Sequence, residues 1–259
     1  TPLTNFSIDY PPTTNFLTLT NGIFNFRSTN IVNFTLFNTI ATIPYTSGIV
    51  IYGNSSSVYN CNNSINLNGD IVVTTGTLKI GTAANHNLIS NGAYIKLNGI
   101  NAKVEIAGRF TRPSYVAISN FAMSAGTIII NEQGSNDNAP ASGTCPAYPF
   151  MIDVPGSSFN VTGGTIIIRK SGIGSGGATP TPISNAGYQV INCGKYIFSG
   201  GTLQIGDAST PAGQTMSILT DQPIANLVVN PTNSPIAILN GPLTVSNNVT
   251  INTGTGLNC

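Results

Sequence analysis

The sequence predicts an all-β chain wound into a right-handed parallel β-helix, a solenoid with loop excursions. Three observations predict it. A turn-plus-strand unit recurs along the chain, the composition suits strands and turns, and no window offers three turns of amphipathic helix without Gly or Pro breaking it. The unit is clearest as Thr162-Gly163-Gly164-Thr165-Ile166-Ile167-Ile168. Near copies are Ser124-Ala125-Gly126-Thr127-Ile128-Ile129-Ile130, Ser199-Gly200-Gly201-Thr202-Leu203-Gln204-Ile205 and Thr75-Gly76-Thr77-Leu78-Lys79-Ile80. Fainter forms are Asn21 to Phe26 and Asn240 to Val245. A unit repeated in this way reads as stacked supersecondary structure, each copy burying the next.

Composition narrows the function classes. Hydrophobic residues make up 41% of the 259 residues, enough for a core. Charged residues make up 7%, against roughly 25% in an ordinary soluble protein. Asn, Thr, Ser and Gly must therefore build the surface. The net charge of +1 gives no field for nucleic acid or an acidic membrane, so no nucleic-acid partner is expected. No apolar run approaches the ~20 residues of a membrane helix, so the chain is not expected to insert in a membrane.

Taken in order, residues 1–47 read as a less regular N-terminal part and 48–259 as coils of one solenoid. Pro2, Pro11 and Pro12 exclude helix at the start, and Leu17-Thr18-Leu19 reads as a first strand. Phe24, Phe26, Phe34, Leu36 and Phe37 follow with near-alternate spacing and read as core filling. Strands are expected at 48–53, 65–67, 71–73, 76–81, 94–97 and 103–106. Leu-Asn-Gly recurs at 67–69, 97–99 and 239–241, and unequal flanking strands make these corners rather than hairpins. Loops are expected near 131–149, 171–182 and 207–213. Each follows a copy of the unit, so all three should leave the coil on one side. Gly126, Gly164 and Gly201 stand 38 and 37 residues apart, room for one to two coils per interval. The last strands carry no polar cap, so we expect a segment of a longer polypeptide.

Chemistry-bearing residues are sparse. The four cysteines are Cys61, Cys145, Cys193 and Cys259, in no metal-ligand spacing, and an oxidising setting with disulfides is expected. Cys145 with Cys193 is the pair to expect first. His86 lies in a polar loop without a nucleophile motif beside it. The eight carboxylates are scattered singly, with Glu132 and Asp137 the nearest pair, at the first long loop. Lys96, Lys103, Glu105, Arg109 and Arg112 form the one charge cluster and are the candidate ligand-surface residues, with Lys103 and Glu105 on one strand face. No catalytic residue, metal or cofactor is expected.

The run Phe198 to Thr215, then Asn226-Leu227-Val228-Val229-Asn230 and Pro242 to Ile251, resembles the β-helical repeats of very large Bacteroidota surface proteins. These are type IX secretion substrates and include gliding-motility adhesins. The resemblance covers residues 120–258 best. It implies a parallel β-helix, an extracellular cell-surface location, and outer-membrane secretion or translocon proteins as partners. The sorting domain typical of such proteins is not in this stretch.

The expected function is a structural or adhesive segment of a secreted cell-surface protein that binds extracellular glycans or solid surfaces, not an enzyme. Two alternatives are a polysaccharide-active β-helix lyase or hydrolase and a cargo segment of a type IX secretion complex. The enzyme would need carboxylates, or a carboxylate with Arg or Lys, converging in one groove. An ice-binding solenoid would need a flat Thr-x-Thr face, and the threonine spacing is irregular along the chain.

Overall fold

A computed structural model of the chain describes residues 17–114, 116–134, 148–175, 182–230 and 232–259. It is all-β, a parallel β-helix with three faces. Sheet A stacks β1 (Gly22–Ser28), β4 (Ser47–Gly53), β7 (Asp70–Val73), β10 (Tyr94–Leu97), β13 (Asn120–Met123), β16 (Ser158–Val161) and β21 (Lys195–Phe198). Sheet B stacks β2 (Asn33–Phe37), β5 (Val58–Cys61), β8 (Gly76–Ile80), β11 (Ala102–Ile106), β14 (Thr127–Ile130), β17 (Thr165–Ile168), β22 (Thr202–Ile205), β24 (Ile224–Val229) and β26 (Val245–Ile251). Sheet C stacks β3 (Ala41–Ile43), β6 (Ile65–Leu67), β9 (Leu88–Ser90), β12 (Phe110–Thr111), β15 (Phe150–Ile152), β20 (Tyr188–Val190), β23 (Thr215–Thr220), β25 (Ile236–Leu239) and β27 (Gly256–Asn258). Every neighbour in these sheets is parallel, so the Asn-Gly turns are corners and not hairpins. Residues 22–43 already supply one strand to each face. Leu17 to Leu19 is not a strand. Leu17 and Leu19 instead pack, half-buried, against the core.

The four clear copies of the repeated unit all enter sheet B, as β8, β14, β17 and β22. Their glycines hold the corner from sheet A. Gly76, Gly126 and Gly164 take φ of 94°, 87° and 83°, the left-handed region that L side chains avoid. A Cβ on Gly164 would also lie 2.7 Å from the carbonyl oxygen of Gly126. The fainter Asn21–Phe26 form is no such corner, because it leads into β1 of sheet A.

Alternate side chains point inward and build one continuous core. Ile71, Ile95, Phe121 and Phe159 line up from sheet A, and Leu78, Val104, Ile128, Ile166 and Leu203 from sheet B. All are essentially fully buried. In the middle rungs the core is aromatic. Phe110, Phe150 and Tyr188 stack along sheet C at 5.2 and 5.4 Å, and Phe121, Phe159 and Tyr196 along sheet A at 5.8 and 5.2 Å. The two stacks meet edge to face, as Phe121 does with Phe150 at 87°.

After β14, β17 and β22 the chain leaves sheet B and next enters sheet C at β15, β20 and β23; residues 135–147 and 176–181, where most of the first two expected loops fall, lie outside the described residues. The second loop holds the one antiparallel pair among the described residues, β18 (Gly172–Ser175) with β19 (Pro182–Ala186). Ala186, Tyr148 and Met151 form a second, small apolar cluster. Met151 is fully buried although it alternates with the inward Phe150 and Ile152, so the excursions cover the outer side of sheet C there.

Candidate functional surfaces and charge clusters

The outer face of sheet B carries two columns of side chains. The register aligns Thr77, Lys103, Thr127, Thr165, Thr202, Asn226 and Asn248 in one. It aligns Lys79, Glu105, Ile129, Ile167, Gln204, Val228 and Thr250 in the other. Successive rungs of a parallel sheet lie about 4.8 Å apart. The irregular threonine spacing in the sequence is thus removed in space, because the strands keep their register across chain segments of different length. Thr127 and Thr165 are direct partners despite the long loop between them. The pattern is Thr-x-Ile rather than Thr-x-Thr. From β14 to β26 the two columns contain no charge, over about 19 Å of rod. Asn226 ties the last rungs, donating to Gly201 O at 2.9 Å and accepting from Asn248 Nδ2 at 3.1 Å.

The charge cluster expected from the sequence is three separate groups. Lys103 and Glu105 do share the outer face of β11, with Nζ and Oε1 2.5 Å apart, and Lys79 from β8 closes on Oε2 at 3.0 Å. Burial opposes ionisation of Glu105, but the hydrogen bonds and charges of Lys103 and Lys79 win and hold its carboxyl below the usual range. Lys96 is on sheet A, paired with Asp70 at 2.7 Å and 4.6 Å from the centroid of the Tyr94 ring. Arg109 and Arg112 are not ligand-surface residues. They are 3% and 2% exposed, and Arg112 is held by Asp153 through two bonds of 2.7 and 2.9 Å and donates to Ser114 O. They flank β12 (Phe110–Thr111), Arg109 one residue before it and Arg112 one residue after it.

A further cluster escaped the sequence reading. Arg169 lies at the loop corner after β17. It bonds Glu132, after β14, at 3.0 Å and Asp207, after β22, at 2.8 Å. Three rungs thus contribute one residue each, Glu132 and Asp207 two residues past their strands and Arg169 one. Hydrogen bonds and charge from Asp207 and Glu132 outweigh burial and raise the Arg169 pKa further. Asp207 also accepts from Ser209 N–H at 2.9 Å. The arrangement pins the first and third loops to the coil, and both carboxylates are spent on one guanidinium. Asp137 lies outside the described residues.

The cysteine pairing drawn from the sequence has no support in the structure. Cys193 is a free thiol, and Cys145 lies outside the described residues. Burial, with Asp221 and Asp153 nearby, pushes the Cys193 thiol up to about 12, which keeps it protonated and unreactive. Cys61 is buried in the core and Cys259 is exposed. His86 serves its own turn, its Nδ1 accepting from Thr82 N–H at 3.0 Å. Among the described residues no three His, Cys, Asp or Glu stand together to hold a metal, and no helix is long and apolar enough to cross a membrane.

Two depressions open on the outer side of sheet A. The smaller, about 160 Å³, is a notch over Ala122 between Lys96 and Asn160. The larger, about 610 Å³, lies where β1 and β4 end, among Arg27, Thr29, Tyr52, Gly53, Asn54 and Thr75. Among the described residues no carboxylate lines either one. Comparison of the chain with protein-family models, curated proteins and solved structures finds no match in any of the three.

Proposed function

We propose that this chain is a stiff adhesive segment of a secreted bacterial cell-surface protein, binding an uncharged glycan or solid surface along sheet B. The observation that carries the reading is the pair of uncharged columns from Thr127/Ile129 to Asn248/Thr250. A periodic face offers many weak contacts in register, and weak contacts on a rigid rod add up through multivalency. Ile129 is buried, but half-buried Thr165, Ile167, Thr202 and Val228 present methyl groups and hydroxyls with little rotamer freedom to lose. The resemblance of residues 120–258 to Bacteroidota surface repeats supports the cell-surface setting and the outer-membrane secretion partners.

The charged groups favour this reading over a lyase or hydrolase. Glu105, Glu132, Asp153 and Asp207 all bond cations, whereas glycoside hydrolysis needs two carboxyls facing a bond across a cleft. The test is retention of the purified chain on microcrystalline cellulose and chitin. Retention should fall about tenfold in Thr165→Lys/Thr202→Lys, equivalent to ~1.4 kcal/mol. Failure to bind either solid, or equal retention of the variant, would reject the sheet B reading.

The aligned Thr127, Thr165 and Thr202 column favours one second reading, in which the same face orders water against ice. Thermal hysteresis that disappears in Thr165→Lys would move the assignment there.

A further inference from the structure

We infer that the depression between Arg27 and Tyr52 is a binding subsite for a carboxylated saccharide, a uronate unit of an acidic glycan. The site lies on sheet A and does not rest on the sheet B reading.

Its construction is set by register. Arg27 on β1 and Tyr52 on β4 are direct partners, and both point outward. The guanidinium carbon stands 5.7 Å from the Tyr52 ring centroid, and the ring is 52% exposed. Behind them the two rungs come close. A Cβ on Gly53 would lie 2.6 Å from the carbonyl oxygen and 2.9 Å from the nitrogen of Ser28, so the floor of the depression requires glycine. The rim is fixed by Asn54. Its Nδ2 donates to Thr29 O at 3.1 Å, and its Oδ1 accepts from Ser56 N–H at 2.8 Å.

The chemistry left over points to the ligand. Lys79, Lys96, Lys103, Arg112 and Arg169 each have a carboxylate partner. Arg27 has none, and no acid lines its depression, among the described residues. The guanidinium fork matches a carboxylate with two parallel bonds. A half-exposed tyrosine ring offers the flat apolar surface on which the C–H face of a pyranose packs, with its hydroxyl at the edge. The side chains of Thr29 and Thr75 supply hydroxyls at the rim that make no bond of their own among the described residues. One site therefore presents a cation, an aromatic face and hydroxyl partners, which a uronate uses together. A neutral sugar leaves the cation idle, and a simple anion leaves the ring idle.

The experiment is an amide NMR titration of the full chain with trigalacturonate, its methyl ester and sodium sulfate. Trigalacturonate should shift the amides of Gly53, Asn54 and Thr75 saturably at millimolar concentration, and the methyl ester and sulfate should not. Arg27→Gln and Tyr52→Ala should each weaken binding by about tenfold or more. Thr165→Lys, on sheet B, should leave it unchanged, which separates this site from the polymer face. Arg27 is at the surface, so the circular dichroism of Arg27→Gln should match that of the parent. Equal shifts with the methyl ester, equal shifts with sulfate, or full binding by Arg27→Gln would each overturn the assignment.

Discussion

Phe150 and Tyr188 stack with their ring centroids 5.4 Å apart and their planes 3° from parallel, although β16, β17 and the antiparallel pair β18–β19 lie between them in the chain. Neither ring is exposed. Phe159 closes on both from sheet A, at 6.1 Å from Phe150 and 6.4 Å from Tyr188. The rungs with the longest excursions are thus joined by their largest side chains.

Truncating the centre of that cluster should cost the most. Phe159→Ala is expected to lose about 3–5 kcal/mol, from lost burial and the cavity left among Phe121, Phe150, Tyr188 and Tyr196. Phe24→Ala, at the partly exposed first rung, should lose clearly less. Denaturant midpoints of the two variants check the order.

The corner glycines should divide by what surrounds them. Gly164→Ala meets both a left-handed backbone, about 1–2 kcal/mol of strain, and the Gly126 carbonyl. Gly213→Ala has φ of 75° but nothing within 4 Å, so it meets the strain alone. Thermal unfolding should show the larger loss for Gly164→Ala. Equal losses would mean that adjacent corners do not stack as closely as 2.7 Å implies.

The two kinds of ion pair should behave differently. Asp153→Asn leaves Arg112 buried without its counter-charge and is expected to cost about 3–5 kcal/mol. Asp70→Asn removes the partner of an exposed Lys96 and should cost ~1 kcal/mol or less. Urea titration of both variants at neutral pH makes the comparison.

Acid should weaken the fold in part through Glu105 and His86. Glu105 has its pKa lowered in the folded chain, so its stabilising share is whole above the unfolded value of about 4.3 and is lost as pH falls through the folded value. Glu105→Gln should therefore be less stable than the parent at pH 7 and lose less on going to pH 3. Burial lowers the pKa of His86, and Nδ1 must stay unprotonated to accept from Thr82. Its contribution is whole above about pH 6.5 and falls away as pH drops through the lower folded value. The His86 ring resonances should titrate with a midpoint below 6.5.

Much of the architecture was legible in the chain. Gly-Thr-Ile-Ile-Ile units marked sheet B because Gly76, Gly126 and Gly164 take the left-handed backbone of the corner and β-branched residues fill the strand. The stretch 207–213 after the fourth copy was readable as a Pro- and Gly-containing interruption between β22 and β23. Residue identity alone also made Lys103 and Glu105 neighbours, since i and i+2 share a strand face.

The site geometry was not legible, for a physical reason. In a parallel coil each residue's nearest partners are one rung away, and the rung length changes with every insertion. Thr127 meets Thr165 across an excursion, while Asn226 meets Asn248 across 22 residues. Local periodicity therefore fixed the fold class, the strands and the inward faces of this protein. Only the tertiary register decided that Arg112 would be buried on Asp153, that Glu132, Arg169 and Asp207 would join, and that Arg27 would stand over Tyr52 with no carboxylate partner among the described residues. Each of those contacts is made across rungs, where the sequence carries composition but no distance.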